Sequence, residues 1–372
     1  MKYYIIAGEA SGDIHGANLI KEIIKLDPQA EIRCWGGDKM ETAGGTIVKH
    51  FRDLAFMGFV EVLKNIRTIL GNISFCKKDI EAFNPDKIVY IDYPGFNLRI
   101  ADWAKKKNFK NHYYISPQLW AWKEGRIKKI KKVIDQMYVI LPFEKPYYAN
   151  HNYDVQFVGH PLIDEISTIA KDPTFLDRSN IDTSKHVIAL LPGSRKQEIT
   201  KMLSIMLSIS KYFDNYEFVI AGAPSIPRDI YRDILKEINF TLNVDVKLVE
   251  NETYQLLQIA DAALVTSGTA TLETALFNVP QAVCYKGNAI SVFLAKRLIK
   301  IKYISLVNLI LDKTLVDEII QEELTTDRLV KELQDLVHGD KRERVLEGYS
   351  LLKEKLGGVG ASKNVALLLQ NN

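Results

Sequence analysis

Residues 3–26 have the sequence YYIIAGEASGDIHGANLIKEIIKL, in which three successive patterns favour one fold class. The apolar run Tyr3–Ala7 is typical of a strand that is buried on both faces of a sheet. A turn of small and acidic residues follows at 8–13, and aliphatic residues then recur at helical spacing up to Leu26. A buried strand followed directly by a helix is the unit from which parallel α/β sheets are built.

The same alternation of strand and helix patterns continues in two successive series. Between the series lies a linker candidate at 162–185, which contains Pro173, and residues 327–370 show helical patterns only. We therefore predict an α/β protein with two Rossmann-like parallel-sheet domains facing a cleft and a helical C-terminal segment, divided as 1–165, 166–340 and 341–372. After Tyr3–Ala7, the predicted strands lie at Ile32–Trp35, Lys87–Ile91, His112–Ile115, Met137–Leu141 and Gln156–Val158, and then at Val187–Leu191, Glu217–Ala221, Val246–Val249, Ala263–Val265 and Gln281–Cys284.

The composition agrees with a folded chain and excludes several classes of protein. The chain has 372 residues, of which 47% are hydrophobic, and its formal net charge of +3 does not indicate a nucleic-acid partner. Cys34, Cys76 and Cys284 lack CxxC spacing and the histidines lack HExxH spacing, so we expect neither disulfides nor a metal site, and a reducing, cytoplasmic compartment. Uncharged stretches of about a dozen residues are too short to span a bilayer.

The first candidate site is the turn after the first strand, which consists of Gly8, Glu9, Ala10, Ser11, Gly12 and Asp13. Small residues at such a turn let a ligand approach the backbone, and a helix N-terminus favours anions. The pattern is not GxGxxG and its two acidic side chains would repel a pyrophosphate, so a sugar suits it better. A helix cap by Ser11 or Asp13 explains the pattern equally well. His15, just beyond the turn, is a further site candidate.

A second candidate is Asp92, which directly follows the apolar run 87–91. At the end of a buried strand a carboxylate is partly desolvated, which raises its pKa. A carboxylate with such a pKa can take a proton from an attacking hydroxyl group. A helix cap or a salt-bridged strand end explains the same residue, and the pattern alone leaves both interpretations open.

Two loops in the second half of the chain have the composition of phosphate-binding loops. Gly193, Ser194 and Arg195 follow one predicted strand, and an arginine at a helix N-terminus opposes the helix dipole unless an anion is present. Ser267, Gly268 and Thr269 follow another strand, and Glu273, about one turn further on, can accept hydrogen bonds from two vicinal ribose hydroxyls. Capping explains the hydroxyl residues singly, but the two loops together indicate a nucleoside-diphosphate ligand.

Seven motifs in this order resemble those of the lipid-A-disaccharide synthase family, and the resemblance covers about 1–365 of the chain. Any one of them would be weak, whereas the ordered set is specific. The motifs are GEASGD at 8–13, MGFVEVL at 57–63, IDYPGFN at 91–97, SPQLWAW at 116–122, LPGSR at 191–195, SGTATLE at 267–273 and LVN at 306–308.

The resemblance implies an inverting GT-B glycosyltransferase that uses no cofactor and no metal. Such an enzyme transfers 2,3-diacylglucosamine from UDP-2,3-diacylglucosamine to 2,3-diacylglucosamine 1-phosphate, which gives a β-1,6-linked lipid A disaccharide and UDP. By position, Asp92 is then the expected base on the acceptor 6-hydroxyl, and the turn 8–13 borders the acceptor. Arg195 and 267–269 are expected to hold the diphosphate and Glu273 the ribose. Gln118 and Asn308 are expected as additional substrate-binding residues.

Because both implied substrates carry acyl chains, we expect a cytoplasmic protein in peripheral contact with the inner membrane. Apolar side chains crowd together at 55–63, although a core segment would explain that stretch equally well. The stretch 290–304 interleaves apolar residues with Lys296, Arg297, Lys300 and Lys302, a pattern typical of segments that lie in the headgroup plane. The expected partners are the two lipid substrates and, for assembly, a second copy in a homodimer.

Two other functions remain open from the sequence. A UDP-sugar epimerase on the same fold would turn over a nucleotide sugar without any acceptor, but it would leave the apolar stretches unexplained. A non-catalytic protein that binds lipids or nucleotides would need neither Asp92 nor Arg195.

Overall fold

The computed structural model describes residues 1–54, 66–122, 124–242, 246–287 and 302–371. The chain divides into two compact units, one formed by 1–164 together with 356–372 and the other by 165–355. The division after Asp164 lies one residue from the boundary expected at 165. Within the described ranges, no helix is both long enough and apolar enough to cross a bilayer.

The first unit contains a seven-stranded sheet in which all neighbouring strands are parallel. The strand order is β3-β2-β1-β4-β5-β6-β7, so the direction of progression reverses between β1 and β4. The strands are β1 Lys2–Ala7, β2 Glu31–Gly36, β3 Thr46–His50, β4 Lys87–Ile91, β5 Lys110–Tyr114, β6 Gln136–Val139 and β7 Gln156–Phe157.

Strand β1 shows why this sheet must be covered by helices on both faces. Its alternate side chains enter two different apolar clusters, Tyr4 and Ile6 in one and Tyr3 and Ile5 in the other. All four are at most 2% exposed, which is the condition that a continuous apolar run predicts. The helices of this unit are α1 Ala10–Leu26, α2 Asp38–Thr42, α3 Ile66–Phe83, α4 Pro94–Lys106, α5 Ile127–Val133, α6 Glu144–Ala149 and α7 Pro161–Ser167, whose last three residues belong to the second unit.

The second unit contains a six-stranded parallel sheet built on the same plan. Its order is β10-β9-β8-β11-β12-β13, and the progression reverses between β8 and β11. Its strands are β8 His186–Leu191, β9 Tyr216–Gly222, β10 Lys247–Glu250, β11 Ala262–Thr266, β12 Gln281–Tyr285 and β13 Glu318–Ile320. Its helices are α8 Phe175–Arg178, α9 Lys196–Leu207, α10 Arg228–Leu242, α11 Thr253–Leu257, α12 Thr269–Leu276, α13 Leu306–Leu311, α14 Thr326–His338 and α15 Asp340–Lys355.

The C-terminal segment 341–372 differs from the separate helical segment that we expected. Helix α15 belongs to the second unit, where its buried Tyr349 donates a hydrogen bond to the Val279 carbonyl. The last helix, α16 (Ala361–Asn371), belongs to the first unit and buries Val365 and Leu369 in the same cluster as Ile5. The two helices have separate apolar faces that are buried on different sheets, so the segment has no core of its own.

The strand orders determine where ligands can approach. In open parallel sheets, ligands bind beyond the carboxyl ends of the strands where the order reverses, because the loops on either side run in opposite directions there. In the first unit these are the loops after β1 and β4, and in the second unit those after β8 and β11. All four loops carry residues singled out from the sequence.

Candidate active site

Asp92 lies directly after β4 in a backbone conformation that few L-residues adopt. Its φ is +44° and that of Tyr93 is +48°, a strain that costs about 1–3 kcal/mol for each residue. Two side chains hold this conformation by donating hydrogen bonds to the Asp92 carbonyl, Asn97 Nδ2 at 2.7 Å and the Tyr113 hydroxyl at 2.5 Å. Asn97 and Tyr113 are both fully buried, so the strained turn is fixed from inside the sheet.

The Asp92 carboxylate is partly buried and lies near a second acid. Burial, together with the negative charge of Glu9, raises the pKa of Asp92 to about 6. The loops after β1 and β4 therefore act together on this group, as the strand order predicts. An aspartate with such a pKa is ionised at neutral pH and is a stronger proton acceptor than an exposed one.

The turn 8–13 has one face toward solvent and one face toward the sheet. Glu9 and Ser11 are exposed, whereas Gly8 and Gly12 are buried. A Cβ on Gly8 would lie 2.3 Å from the Tyr93 ring, and one on Gly12 would lie 3.0 Å from the Ala7 Cβ. These two glycines therefore allow the loops and the helix to pack closely. Glu9 and Ser11 are the polar side chains of this turn that remain accessible to a ligand.

Asp13 has a structural role, which corrects the expectation that it binds substrate. Its side chain is 4% exposed, and its carboxylate accepts hydrogen bonds from the backbone N–H groups of Gly37 at 2.7 Å, Met40 at 3.1 Å and Lys39 at 3.2 Å. Asp13 thus caps the N-terminus of α2, a helix other than its own. A carboxylate with these three donors satisfies helix N–H groups that would otherwise be orphaned.

The structure places His15 among other titratable groups of the first unit, namely Asp164 and His160. Burial lowers the pKa of His15 to about 4, and the charge that acts on it is that of Asp164. Its neighbour His160 has a pKa lowered to about 3 by burial and by His15 itself. The ring is therefore neutral at physiological pH and belongs to a buried polar group inside the first unit, and a catalytic role for it stays a prediction.

The loop 116–122 after β5 is held by a buried acid that the sequence analysis did not single out. Glu144 is 1% exposed and accepts hydrogen bonds from Ser116 Oγ, from Trp120 Nε1 at 3.3 Å and from two backbone N–H groups. Burial raises the pKa of Glu144 to about 7. Gln118, between the two anchored residues, is exposed. Glu144 comes a short turn after β6, whereas Asp92 follows β4 directly, so the signal used for Asp92 is weaker at Glu144.

The second unit contains a cavity of about 430 Å³ where its strand order reverses. Both loops with phosphate-binding composition line it, so the structure brings these predicted residues together. The lining includes Gly193, Ser194, Arg195, Ser267, Gly268, Thr269 and Glu273.

In the loop after β8, the guanidinium of Arg195 pairs with Glu198, a residue that the sequence analysis missed. The two side chains are 3.2 Å apart, and Glu198 Oε2 also accepts a hydrogen bond from the Ser194 N–H at 3.3 Å. Gly193 has a φ of +112°, and a Cβ there would lie 2.8 Å from Glu198 Oε2, so a glycine is required. Arg195 is 79% exposed, so its guanidinium can reach a bound anion.

In the loop after β11, the hydroxyl of Ser267 is already used by the protein. Its Oγ donates a hydrogen bond to the Ile304 carbonyl at 2.8 Å. Helix α12 begins at Thr269, and its cap residue Gly268 supplies no side-chain cap. The N-terminal amides of α12 are therefore the groups that this loop can offer to an anion.

Glu273 lines the same cavity and has two partners that sequence reasoning did not reveal. The hydroxyl of Tyr254 lies 3.1 Å from Glu273 Oε1 and 3.2 Å from Glu165 Oε1. Burial and the charge of Glu165 raise the pKa of Glu273 to about 7, although the Tyr254 hydrogen bond opposes this. Glu165 lies in the stretch that we predicted as a linker, and Tyr254 carries no motif, so no sequence signal could have joined them.

Asn308 is corrected in the same way as Asp13. It is fully buried, and its amide donates hydrogen bonds to the Val316 carbonyl and to Glu318, at 2.8 and 2.9 Å. Its Oδ1 accepts from the N–H groups of Leu315 and Val316. All four hydrogen-bonding positions of the amide are occupied. Asn308 therefore holds the chain that leads into β13 and has no group left for a substrate.

The structure does not describe most of the two stretches that we expected to contact the membrane. The stretch 55–63 and most of 290–304 lie outside the described residues. Within the described ranges, no group of three histidine, cysteine or acidic side chains is arranged to hold a metal ion.

The sequence comparisons agree on one family. The model of the lipid-A-disaccharide synthetase family matches residues 3–368. The chain is 38% identical over 369 residues to the lipid-A-disaccharide synthase of Syntrophus aciditrophicus, an alignment that covers 98% of this chain and 96% of the relative. It is also 38% identical over 370 residues to the enzyme of the same name from Geobacter metallireducens, with 97% and 94% covered.

The structural comparison extends the likeness of fold to other proteins. The chain is similar to the UDP-GlcNAc 2-epimerase of Neisseria meningitidis, whose structure was solved with UDP-GlcNAc bound. The TM-score is 0.68, the sequence identity is 15%, and both chains are covered completely. At this identity the likeness concerns the fold alone. It places the two parallel-sheet units in the GT-B class of architecture that the sequence predicted.

The two acids of the turn 8–13 make a matched pair for testing the correction at Asp13. We expect Asp13→Ala to lower the free energy of unfolding by about 1–3 kcal/mol, because buried N–H groups of α2 lose their acceptor. Glu9→Ala should change it by no more than about 0.5 kcal/mol, because Glu9 is exposed. Urea denaturation measures both. Equal stability of the two variants would return Asp13 to the substrate-binding residues.

Proposed function

The chain belongs to the lipid-A-disaccharide synthase family, and from that premise we propose that it transfers 2,3-diacylglucosamine from UDP-2,3-diacylglucosamine to 2,3-diacylglucosamine 1-phosphate. In this reaction the 6-hydroxyl oxygen of the acceptor attacks the anomeric carbon of the donor sugar. The bond from that carbon to the diphosphate breaks and UDP leaves, so the anomeric configuration is inverted. The products are the β-1,6-linked disaccharide 1-phosphate and UDP.

The observation that carries the proposal on the donor side is the cavity of the second unit. Its lining combines an exposed guanidinium at Arg195, the N-terminus of α12 and a carboxylate at Glu273. The first two suit a diphosphate and the third suits a ribose, which together match UDP. As the sugar–phosphate bond breaks, negative charge grows on the diphosphate. Arg195 is then placed to stabilise the leaving group, and to do so it exchanges its contact with Glu198 for one with phosphate oxygens.

On the acceptor side we assign the general base to Asp92. The acceptor hydroxyl must lose its proton as it attacks, and a carboxylate with a pKa of about 6 is ionised at neutral pH and ready to take it. The proton passes from the hydroxyl to Asp92 and then to solvent. The strained backbone at 92–93 is held by hydrogen bonds from buried side chains, which fixes the position of this residue before substrate binds and so preorganises the base.

The remaining acceptor-side residues are proposed from their accessibility. Glu9, Ser11 and Gln118 are exposed and follow β1 and β5, the two strands that pair with β4 in the sheet. We assign them to the hydroxyl and amide groups of the acceptor sugar. Gly8 and Gly12 have no side chain to offer the acceptor, and their role is to let the loops of this part of the site pack closely.

The reaction itself can be tested against the epimerase alternative. With purified protein, we expect UDP release to require both diacylated substrates and the disaccharide 1-phosphate to accumulate in step with UDP. An epimerase would interconvert the nucleotide sugar without an acceptor. Mass spectrometry of the lipid product, together with NMR of the nucleotide sugar, separates the two. Conversion of the UDP-sugar in the absence of acceptor, without a disaccharide, would contradict the proposal.

We predict that Asp92→Asn lowers kcat by about 10²–10⁴-fold, because it removes the base. In the wild-type protein, kcat/KM should rise with pH through about 6 as the Asp92 carboxyl ionises, and the variant should lose this limb of the profile. Asp102→Asn is the control, since Asp102 is a surface residue paired with Lys106 on α4. Near-normal kcat in Asp92→Asn would remove Asp92 as the base.

We also propose that the protein contacts an anionic membrane surface through 290–304. Replacing Lys296, Arg297, Lys300 and Lys302 with Gln should weaken vesicle binding, because each cation near the surface contributes about 1 kcal/mol through a field that salt screens. As the matched control, the same replacement is made in the exposed lysines of α5, namely Lys128, Lys129, Lys131 and Lys132. Sedimentation with anionic vesicles measures binding. Equal losses in the two variants would show that net charge, rather than this stretch, binds the membrane.

A further inference from the structure

Two carboxylates in the second unit share a single hydroxyl proton. The Tyr254 hydroxyl lies 3.1 Å from Glu273 Oε1 and 3.2 Å from Glu165 Oε1. A phenol has one O–H donor, so it can donate to only one carboxylate at a time. If both acids are ionised, the carboxylate that receives no proton from the phenol faces the phenol oxygen directly. It is also repelled by the negative charge of the other carboxylate. The geometry therefore favours a state in which the three groups hold one extra proton.

The surroundings leave this proton on the Glu273 side of the cluster. Glu273 is the member that lines the cavity, and burial is the largest influence that raises its pKa, to about 7. Its charged and titratable neighbours among the described residues are Tyr254 on α11, Glu165 on α7 and, across the cavity, the ion pair of Arg195 and Glu198. Two other helices pack on α12. Helix α13 has no titratable residue, and α15 contains Tyr349, whose hydroxyl donates to the Val279 carbonyl and accepts from Gln281 instead.

We propose that Tyr254 and Glu165 are positioning residues that set the charge of Glu273, so that binding of a ribose in this cavity is coupled to loss of a proton from the cluster. The inference rests on the proposed function in one respect, because it takes Glu273 to be the group that meets the ribose. It goes further in naming two residues that touch no substrate and in assigning them a measurable effect on nucleotide affinity.

The sign of the effect follows from the hydrogen bonds. A ribose offers two vicinal hydroxyls that can donate to one ionised carboxylate, whereas a protonated carboxyl accepts less well and must place its own proton elsewhere. Ligand binding therefore lowers the pKa of Glu273, and the affinity rises with pH as the free cluster loses its proton. With a free-state pKa of about 7, the dissociation constant at pH 6 should be about tenfold higher than at pH 8.

Replacing the two positioning residues should move this dependence in opposite directions. Glu165→Gln removes the negative charge that raises the pKa of Glu273 and frees the phenol to donate to Glu273 alone. The midpoint of the affinity curve should then move to lower pH. Tyr254→Phe removes the hydrogen bond that stabilises ionised Glu273, so its midpoint should move to higher pH. A purely structural role for either residue would alter stability or affinity uniformly and leave the midpoint in place.

The experiment measures binding of UDP-N-acetylglucosamine by isothermal titration calorimetry between pH 5.5 and 8.5. This probe is chosen because its diphosphate is esterified at both ends and does not titrate in that range, unlike the terminal phosphate of UDP. Repeating the titrations in buffers with different ionisation enthalpies counts the protons released. Tyr212→Phe and Glu322→Gln are the matched controls, since both side chains are exposed and lie outside the cavity. Glu273→Gln completes the set, and thermal unfolding of each variant verifies that it is folded.

The outcomes separate this inference from the proposed function. Proton release by the wild-type protein, opposite shifts of the midpoint in Glu165→Gln and Tyr254→Phe, and a flat profile in Glu273→Gln would support the inference. Binding of the probe with a flat profile in the wild-type protein would overturn it while leaving the donor site intact. A midpoint that stays in place in both variants would also overturn it. Failure of the folded wild-type protein to bind the probe at any pH would overturn both the inference and the assignment of the donor cavity.

Discussion

The whole structure depends on the burial of parallel strands on both faces. Such a sheet has no solvent-facing side on which polar chemistry can be placed, so its functional groups are confined to the strand ends. Both units obey this constraint separately, and each reverses its strand order once, between β1 and β4 and between β8 and β11. The accessible candidate residues follow these strands or the adjacent β5. Polar residues whose side chains are fully engaged in hydrogen bonds within the protein, such as Asp13 and Asn308, are used by the fold instead.

Burial near the strand ends raises the pKa of three carboxyl groups, and their different hydrogen-bond partners suit them to different roles. The pKa values of Asp92, Glu144 and Glu273 are all raised to between about 6 and 7 chiefly by burial. Glu144 is surrounded by four donors and has no access to solvent, which suits a group that holds a loop. Asp92 is partly accessible and has an acidic neighbour, which suits a base. Glu273 and Glu165 contact one tyrosine hydroxyl, which suits the proposed response of the Glu273 charge to a ligand.

The sequence was sufficient for the fold class and for most of the strands. Apolar runs predicted the strands of both sheets except the edge strands β3 and β13. The motifs after β4, β8 and β11 supplied Asp92, Arg195 and Glu273 as candidates, and their ligand roles stay predictions. It was insufficient where a role depends on a contact distant in the chain. Nothing in the local pattern of Asp13 shows that it caps a helix 25 residues later, and nothing in Tyr254 shows that it reaches Glu165. The prediction of a separate segment at 341–372 was wrong for the same reason, since periodicity reveals an apolar face but not which sheet will cover it.

The likeness to an epimerase at 15% identity shows how little the sheet alone says about chemistry. What distinguishes one chain of this fold from another is how its loops are directed, and in the first unit that direction is set from within the core. Asn97 and Tyr113 are buried polar residues among apolar ones, and both donate hydrogen bonds to the carbonyl that holds Asp92 in its strained conformation. Phenylalanine at 113 and leucine at 97 would pack as well or better, and the sheet would still form. The Asp92 backbone carbonyl would lose both of these hydrogen bonds, so we propose that the two buried polar residues serve the proposed base at Asp92 rather than the packing of the sheet.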